Sequence, residues 1–235
     1  MKFLQYLFIS LSHKILKLLP YTSIRILSVP IGTLYFLLTF RSSIKLFRRK
    51  EIFNELKINY KPLIVKINYT RYWLETLWLT NKNFSKYISP HVEIENLEYV
   101  EKLKKQYPGL IFALPHLGNW EFAIPIGNSI KLNLLAVAEP LNNSYVLNWF
   151  KTLRESLGIE IIIGGKGQNT FDLLVNKLKS GKDICLLSER SIKKSGVATK
   201  FFGQLAAFPK GPVALSLKTE IPVSYTHLTL PTKSG

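Results

Sequence analysis

Cysteine occurs once in the 235 residues, at position 185. No disulfide framework can form within the chain, and the apolar run 184–187 makes a buried structural thiol the expected role. A reducing, cytoplasm-facing location fits that usage. Acidic residues are missing from the first fifty positions, where nine Lys and Arg residues stand. Long apolar runs are missing too. Stretches 3–13 and 26–40 carry no charge, but neither reaches the roughly 18 to 20 residues that cross a bilayer core. The second also contains Pro30 and Gly32. No small-residue cleavage site follows either stretch, since Lys14 and Arg41 come next, so the segment is expected to be retained. Internal repeats and low-complexity linkers are absent. Gly164-Gly165-Lys166-Gly167 lacks the Gly-Lys-Ser/Thr ending of a Walker loop and reads as a strand-to-helix turn. The four histidines show no clustering with acids or with the cysteine, so no metal and no permanently bound cofactor is expected.

What the chain has in surplus is positive charge and apolar bulk. Lys and Arg outnumber Asp and Glu by 32 to 15, a formal charge of +17, in a composition that is 47% hydrophobic. That bulk suffices for one α/β domain with a sizeable core. The charge implies a polyanionic partner, either nucleic acid or an anionic bilayer. Its placement favours the bilayer: the cations of the first fifty residues interleave with Leu, Ile and Phe, and no nucleic-acid motif is present. Residues 1–50 are therefore expected to form basic apolar helices that anchor the chain to an anionic membrane surface by lying in the headgroup interface.

Beyond them, residues 51–107 follow a helical pattern, with Trp73, Leu74, Leu77 and Trp78 at three-to-four spacing. A short strand is expected at 92–94 and a helix at 98–106, ended by Pro108 and Gly109. Continuous apolar runs then recur at 110–114, 134–138, 159–163 and 184–187, the signature of strands buried on both faces. Helical stretches at 145–157 and 170–179 alternate with them. The fold class is thus expected to be α/β, a mostly parallel sheet flanked by helices, with ligands gathered at the carboxyl ends of the strands.

The first run ends in Pro115-His116-Leu117-Gly118-Asn119-Trp120-Glu121. On one regular helix His116 and Glu121 would splay by about 140°, so they could converge only across a turn, which Gly118 permits. A neutral imidazole can take a proton from an alcohol attacking a thioester, and a carboxylate on the other ring nitrogen would fix its tautomer. With no serine or cysteine nucleophile beside it, the pair suggests direct transfer. Taken alone, the spacing reads first as a partly exposed His and a helix-start Glu that meet by chance.

The stretch Phe112 to Phe122, FALPHLGNWEF, resembles the His-x4-acid block of the bacterial lysophospholipid acyltransferase superfamily. It is most similar to the branch of lipid A late acyltransferases and phosphatidylinositol mannoside acyltransferases, where His-x-Gly-Asn-Trp-Glu is typical. The resemblance implies His116 as general base, Glu121 as its carboxylate partner, and Asn119 and Trp120 at the substrate. Leu153-Arg154-Glu155-Ser156-Leu157-Gly158 resembles a second block, which implies substrate contact for Arg154. Ser188-Glu189-Arg190, followed by Ser195-Gly196-Val197, resembles a third block in which Glu189 and Arg190 would line the acceptor side. Glu-Arg there is closer to the mannoside branch. Phe208-Pro209-Lys210-Gly211-Pro212 resembles a fourth, a turn opening a helix at Val213 whose amides could face phosphate.

The function so implied is acyl transfer from acyl-CoA or acyl-ACP as co-substrate to a sugar hydroxyl of a membrane glycolipid, expected to be a phosphatidylinositol mannoside, at the cytoplasmic face of a bacterial plasma membrane. A lipid A acceptor is the alternative within the class, and a non-catalytic basic membrane-binding protein the alternative outside it. The expected organisation is an anchoring segment at 1–50, a C-terminally incomplete acyltransferase domain at 51–223, and at 224–235 a non-native tail that reads as foreign to the family.

Overall fold

The computed structural model describes residues 1–40, 61–165, 169–189, 196–201 and 203–225. It divides into two compact units, one formed by 7–83 and the other by 1–6 with 84–235.

The smaller unit is helical. Helix α1 (Lys2–Leu16) from Leu7 on, with α2 (Tyr21–Leu38) and α3 (Pro62–Trp78), supplies it. Helix α2 buries Ile24, Ser28 and Gly32, one residue per turn, against α3. The approach is so close that a Cβ on Gly32 would lie 2.6 Å from the Ile67 Cα. Polar side chains tie the helix ends: the Tyr21 hydroxyl donates to Glu75 at 2.8 Å, the Trp78 indole to the Leu19 carbonyl at 2.8 Å, and the Asn83 amide to the Lys17 carbonyl at 2.9 Å. The uncharged stretch 26–40 is too short to cross a bilayer, but α2 starts five residues earlier and takes in Arg25. Its eighteen residues, mean hydropathy 1.3, meet the requirement for a membrane span by length and composition. Along α1 the chains of Leu4, Phe8, Leu11 and Ile15 form an exposed apolar stripe.

The larger unit holds a five-stranded parallel sheet in the order β3-β2-β4-β1-β7. Its strands are β1 (Ile111–Leu114), β2 (Leu134–Ala138), β3 (Glu160–Ile163), β4 (Asp183–Leu187) and β7 (Val223–Tyr225). Connecting helices are α4 (Leu97–Gln106), α5 (Ala123–Ser129), α6 (Ser144–Ser156), α7 (Thr170–Lys179) and α8 (Gly211–Thr219). Alternation along the strands gives the sheet two buried faces. Ile111, Leu135 and Ile184 meet Leu174, Leu178 and Leu215 of α7 and α8 on one face. Phe112 and Cys185 meet Leu103 of α4 on the other. The α/β expectation therefore holds, with strands where the apolar runs lie.

One reading is corrected. Residues 92–94 are not a strand: they follow a 3-10 turn over Ser89–His91 and lead to Asn96 in the left-handed region, and without a neighbouring ladder three extended residues gain no pairing. Ser224 and Tyr225 pair with Phe112 and Ala113 in the edge strand β7. An antiparallel hairpin, β5 (Val197–Phe201) and β6 (Gln204–Phe208), stands apart from the main sheet.

The lower end of the sheet is fastened by one carboxylate. Asp183 is fully buried, accepts from the Leu110 amide at 2.9 Å and the Asn133 amide at 2.7 Å, and pairs with Lys104 at 2.9 Å. It joins the starts of β1, β2 and β4, leaving the opposite edge to the loops.

Candidate active site

At that opposite edge the register of two strands assembles the site. Leu114 of β1 and Leu187 of β4 are ladder partners, and the Ser188 amide continues the ladder to the Leu114 carbonyl at 2.8 Å. Two residues beyond each strand end stand His116 and Glu189, at the same height on neighbouring strands. One Glu189 oxygen takes the His116 Nδ1 in a short hydrogen bond, and the other accepts from the His116 backbone amide at 3.2 Å. The carboxylate thus holds both the ring and the main chain of a single residue. An ionised Glu189 can only accept, so the bond it makes calls for the proton on Nδ1, which leaves Nε2 with the lone pair of a base. The Trp120 ring stands edge-on to the imidazole, 4.7 Å between centroids and 82° between planes.

The expected pairing of His116 with Glu121 is not formed. After Pro115 the chain turns tightly, with the Leu117 amide on the Pro115 carbonyl at 2.8 Å and Gly118 at φ 58°, a conformation that costs a residue with a Cβ. Asn119 then caps the 3-10 turn Trp120–Phe122 by accepting from the Glu121 amide at 3.1 Å. That turn drives Glu121 inward, to 1% exposure, where it meets Arg154 of α6. The contact is bidentate: Nε to Oε2 at 3.0 Å and Nη2 to Oε1 at 2.6 Å. A buried carboxylate needs such a fork, and Arg154, on the last turn of α6, supplies it. Glu121 and Arg154 therefore fasten the loop that carries His116.

Of the residues singled out from the sequence, His116 and Glu189 come together at the strand ends, Trp120 joins them, and Asn119, Glu121 and Arg154 form the support beneath. Arg190 lies outside the described residues. Ser188, beside Glu189, donates its hydroxyl to the Leu186 carbonyl at 2.9 Å. Cys185 is no nucleophile: burial first, and the charge of Asp183 second, push its thiol up to about 12, so it is neutral. Among the described residues no three His, Cys, Asp or Glu side chains gather to hold a metal. The chemistry available is that of a base with one free nitrogen, oriented by a carboxylate, at the carboxyl edge of a parallel sheet.

Comparison with known proteins gives this geometry a setting. The model of the family described as bacterial lipid A biosynthesis acyltransferase matches residues 2–231. The phosphatidylinositol mannoside acyltransferase of Mycolicibacterium smegmatis is 31% identical over 156 residues, covering 65% of this chain and 50% of that protein. The protein of the same name from Mycobacterium tuberculosis is 31% identical over 163 residues, covering 68% and 51%. The chain spans about half the length of the curated relatives it matches.

Proposed function

Because the chain belongs to the bacterial lipid A biosynthesis acyltransferase family, we propose that it acts in an O-acyltransferase moving a long acyl chain from an acyl thioester, acyl-CoA or acyl-ACP, to a sugar hydroxyl of a membrane glycolipid. The observation that carries the reading is the double grip of Glu189 on His116 at the ends of β4 and β1. Nε2 takes the proton of the acceptor hydroxyl as its oxygen bonds to the thioester carbonyl carbon. The imidazolium is stabilised by Glu189, and the oxyanion by amide or cationic donors at the sheet edge. Collapse breaks the carbon–sulfur bond, and the departing thiolate takes the proton back from Nε2. Asn119, Trp120 and Arg190 contact substrate in this reading, while Glu121 and Arg154 set the position of the base.

A mannosylated phosphoinositide is the proposed acceptor, on the names of the two mycobacterial relatives and the Glu189-Arg190 pair. The reaction is placed at the cytoplasmic face of the plasma membrane, with the basic apolar helices of the N-terminal segment on anionic lipid. The test is transfer of labelled palmitate from its thioester to mannosylated phosphoinositides and lipid A precursors, using membranes that carry the full-length protein or its His116→Ala form. Label in the mannolipid that vanishes with His116→Ala is expected. Label in the lipid A precursor alone reassigns the acceptor. Equal label in both proteins sinks the mechanism and returns the chain to a non-catalytic membrane-binding role.

A further inference from the structure

The β5–β6 hairpin has no place in the mechanism, and its surface is unusual for a part of a water-facing fold. Val197 is 59% exposed, Phe201 53% and Leu205 77%. By the cross-strand register, Val197 and Phe201 lie on one face of the ribbon and Leu205, opposite Lys200, on the other. Both faces therefore carry exposed apolar side chains. A two-stranded ribbon is marginal in water by itself, and one with large apolar side chains on both sides needs an apolar environment on both sides. A groove on a protein would cover one face; immersion covers two.

Charge identifies the environment. Between Glu189 and Glu220 the chain has no acidic residue and six basic ones, Arg190, Lys193, Lys194, Lys200, Lys210 and Lys218. Lys200 is exposed on the ribbon itself and Lys210 at its far foot. Basic side chains beside Val, Phe and Leu suit the boundary of an anionic leaflet, where the aliphatic stems and rings enter the upper acyl layer and the ammonium groups remain with lipid phosphate. Depth is limited by the backbone. Among the described residues no further strand pairs with the outer edges of the ribbon, and the hydrocarbon core does not tolerate unpaired amides and carbonyls. An acidic carrier protein would meet the cations and leave the apolar chains of one face in water.

We propose that the β5–β6 hairpin is a lipid-inserting element that enters the headgroup and upper acyl region of an anionic bilayer beside the active site. One foot of the ribbon is placed at the sheet, where Gly211, three residues past Phe208, faces the Leu186 side chain of β4; the other strand follows Glu189 in the sequence. Insertion there presents the leaflet surface to Nε2 of His116, so that a lipid-borne hydroxyl reaches the base without leaving its membrane. This deepens the acyltransferase reading and rests on it for its purpose, though not for its test.

The test places an environment-sensitive nitrobenzoxadiazole label on Leu205→Cys in a Cys185→Ala background of the full-length protein, with Thr199→Cys as a second site. Vesicles of equimolar phosphatidylcholine and phosphatidylglycerol should shift the emission to the blue and brighten it. Nitroxide lipids labelled near the headgroup should quench it more than those labelled at the chain end. Lys200→Gln and Lys210→Gln should each weaken vesicle partitioning about fivefold. Emission that stays at its aqueous position at both sites while the protein sediments with vesicles overturns the proposal, as does a shift caused by acyl carrier protein without lipid. Because the label needs no turnover, a shift in a protein without acyl transfer refutes the catalytic reading and leaves the hairpin assignment intact.

Discussion

Replacing each of two glutamates by glutamine separates the roles proposed for them. In Glu189→Gln the side chain has one acceptor and one donor end where two donors, Nδ1–H and the His116 amide, now meet a carboxylate. If the amide oxygen faces the ring, the amide nitrogen opposes the backbone N–H; if it is flipped, the ring moves its proton to Nε2 and ceases to be a base. Loss of the corresponding carboxylate in a catalytic triad costs about 10⁴ in kcat. The Glu189 side chain is 34% exposed, so water replaces part of its effect and a loss of about a thousandfold is expected, with KM little changed. Glu121→Gln acts differently. It removes the charge from a carboxylate 2% exposed and leaves Arg154, 24% exposed, to find water, at a cost of about 2 kcal/mol in stability. Its kcat should fall less than that of Glu189→Gln, with the melting temperature lowered. The assay is thioester-dependent acylation of glycolipid in detergent, paired with thermal unfolding followed by tryptophan fluorescence. A thousandfold loss in Glu121→Gln at unchanged melting temperature, with Glu189→Gln fully active, would refute this assignment of the pair.

Three further outcomes follow from the packing. Asp183→Ala orphans the buried Leu110 amide and frees Lys104, which should destabilise the larger unit by about 3 kcal/mol, measurable as a lower denaturant midpoint. Gly32→Ala forces a Cβ against the Ile67 backbone and should cost about 1 to 3 kcal/mol, seen as faster proteolysis between α2 and α3; wild-type resistance would show that the two helices can part freely. Cys185 should resist maleimide in the folded protein at neutral pH and react at once in urea. With its thiol raised to about 12, folding favours the neutral form. The associated stability is complete below the ordinary thiol range and drains as pH climbs from there towards the folded value, so a Cys185→Ala protein should show a flatter alkaline denaturation curve.

The sheet was legible because strands buried on both faces must be apolar throughout, and the runs at 134–138 and 184–187 could be little else. The place of His116 at a strand end was legible because it follows such a run directly. Its partner was not: the choice between Glu121 and Glu189 depends on which strands are neighbours, a fact of topology that no local spacing encodes. Glu189 could have been suspected from being two residues past its own run, as His116 is past the first. Asp183 went unnoticed because its value lies in amides from two other segments. The hairpin was hidden in a stretch whose alternation is weak, and the length of α2 was underestimated because a helix tolerates Arg25 where an uncharged run does not.

Asp183 and Leu110 are separated by 73 positions, and so are Glu189 and His116. The same offset joins Ile111 to Ile184 and Leu114 to Leu187, so β1 and β4 run side by side like two rulers read against one mark, with no residue gained or lost between them. The clasp at one end therefore fixes the alignment of acid and base at the other. Deleting a single residue from either strand would turn its side chains to the wrong face and leave His116 a full step out of reach of Glu189, with every residue of the site still present.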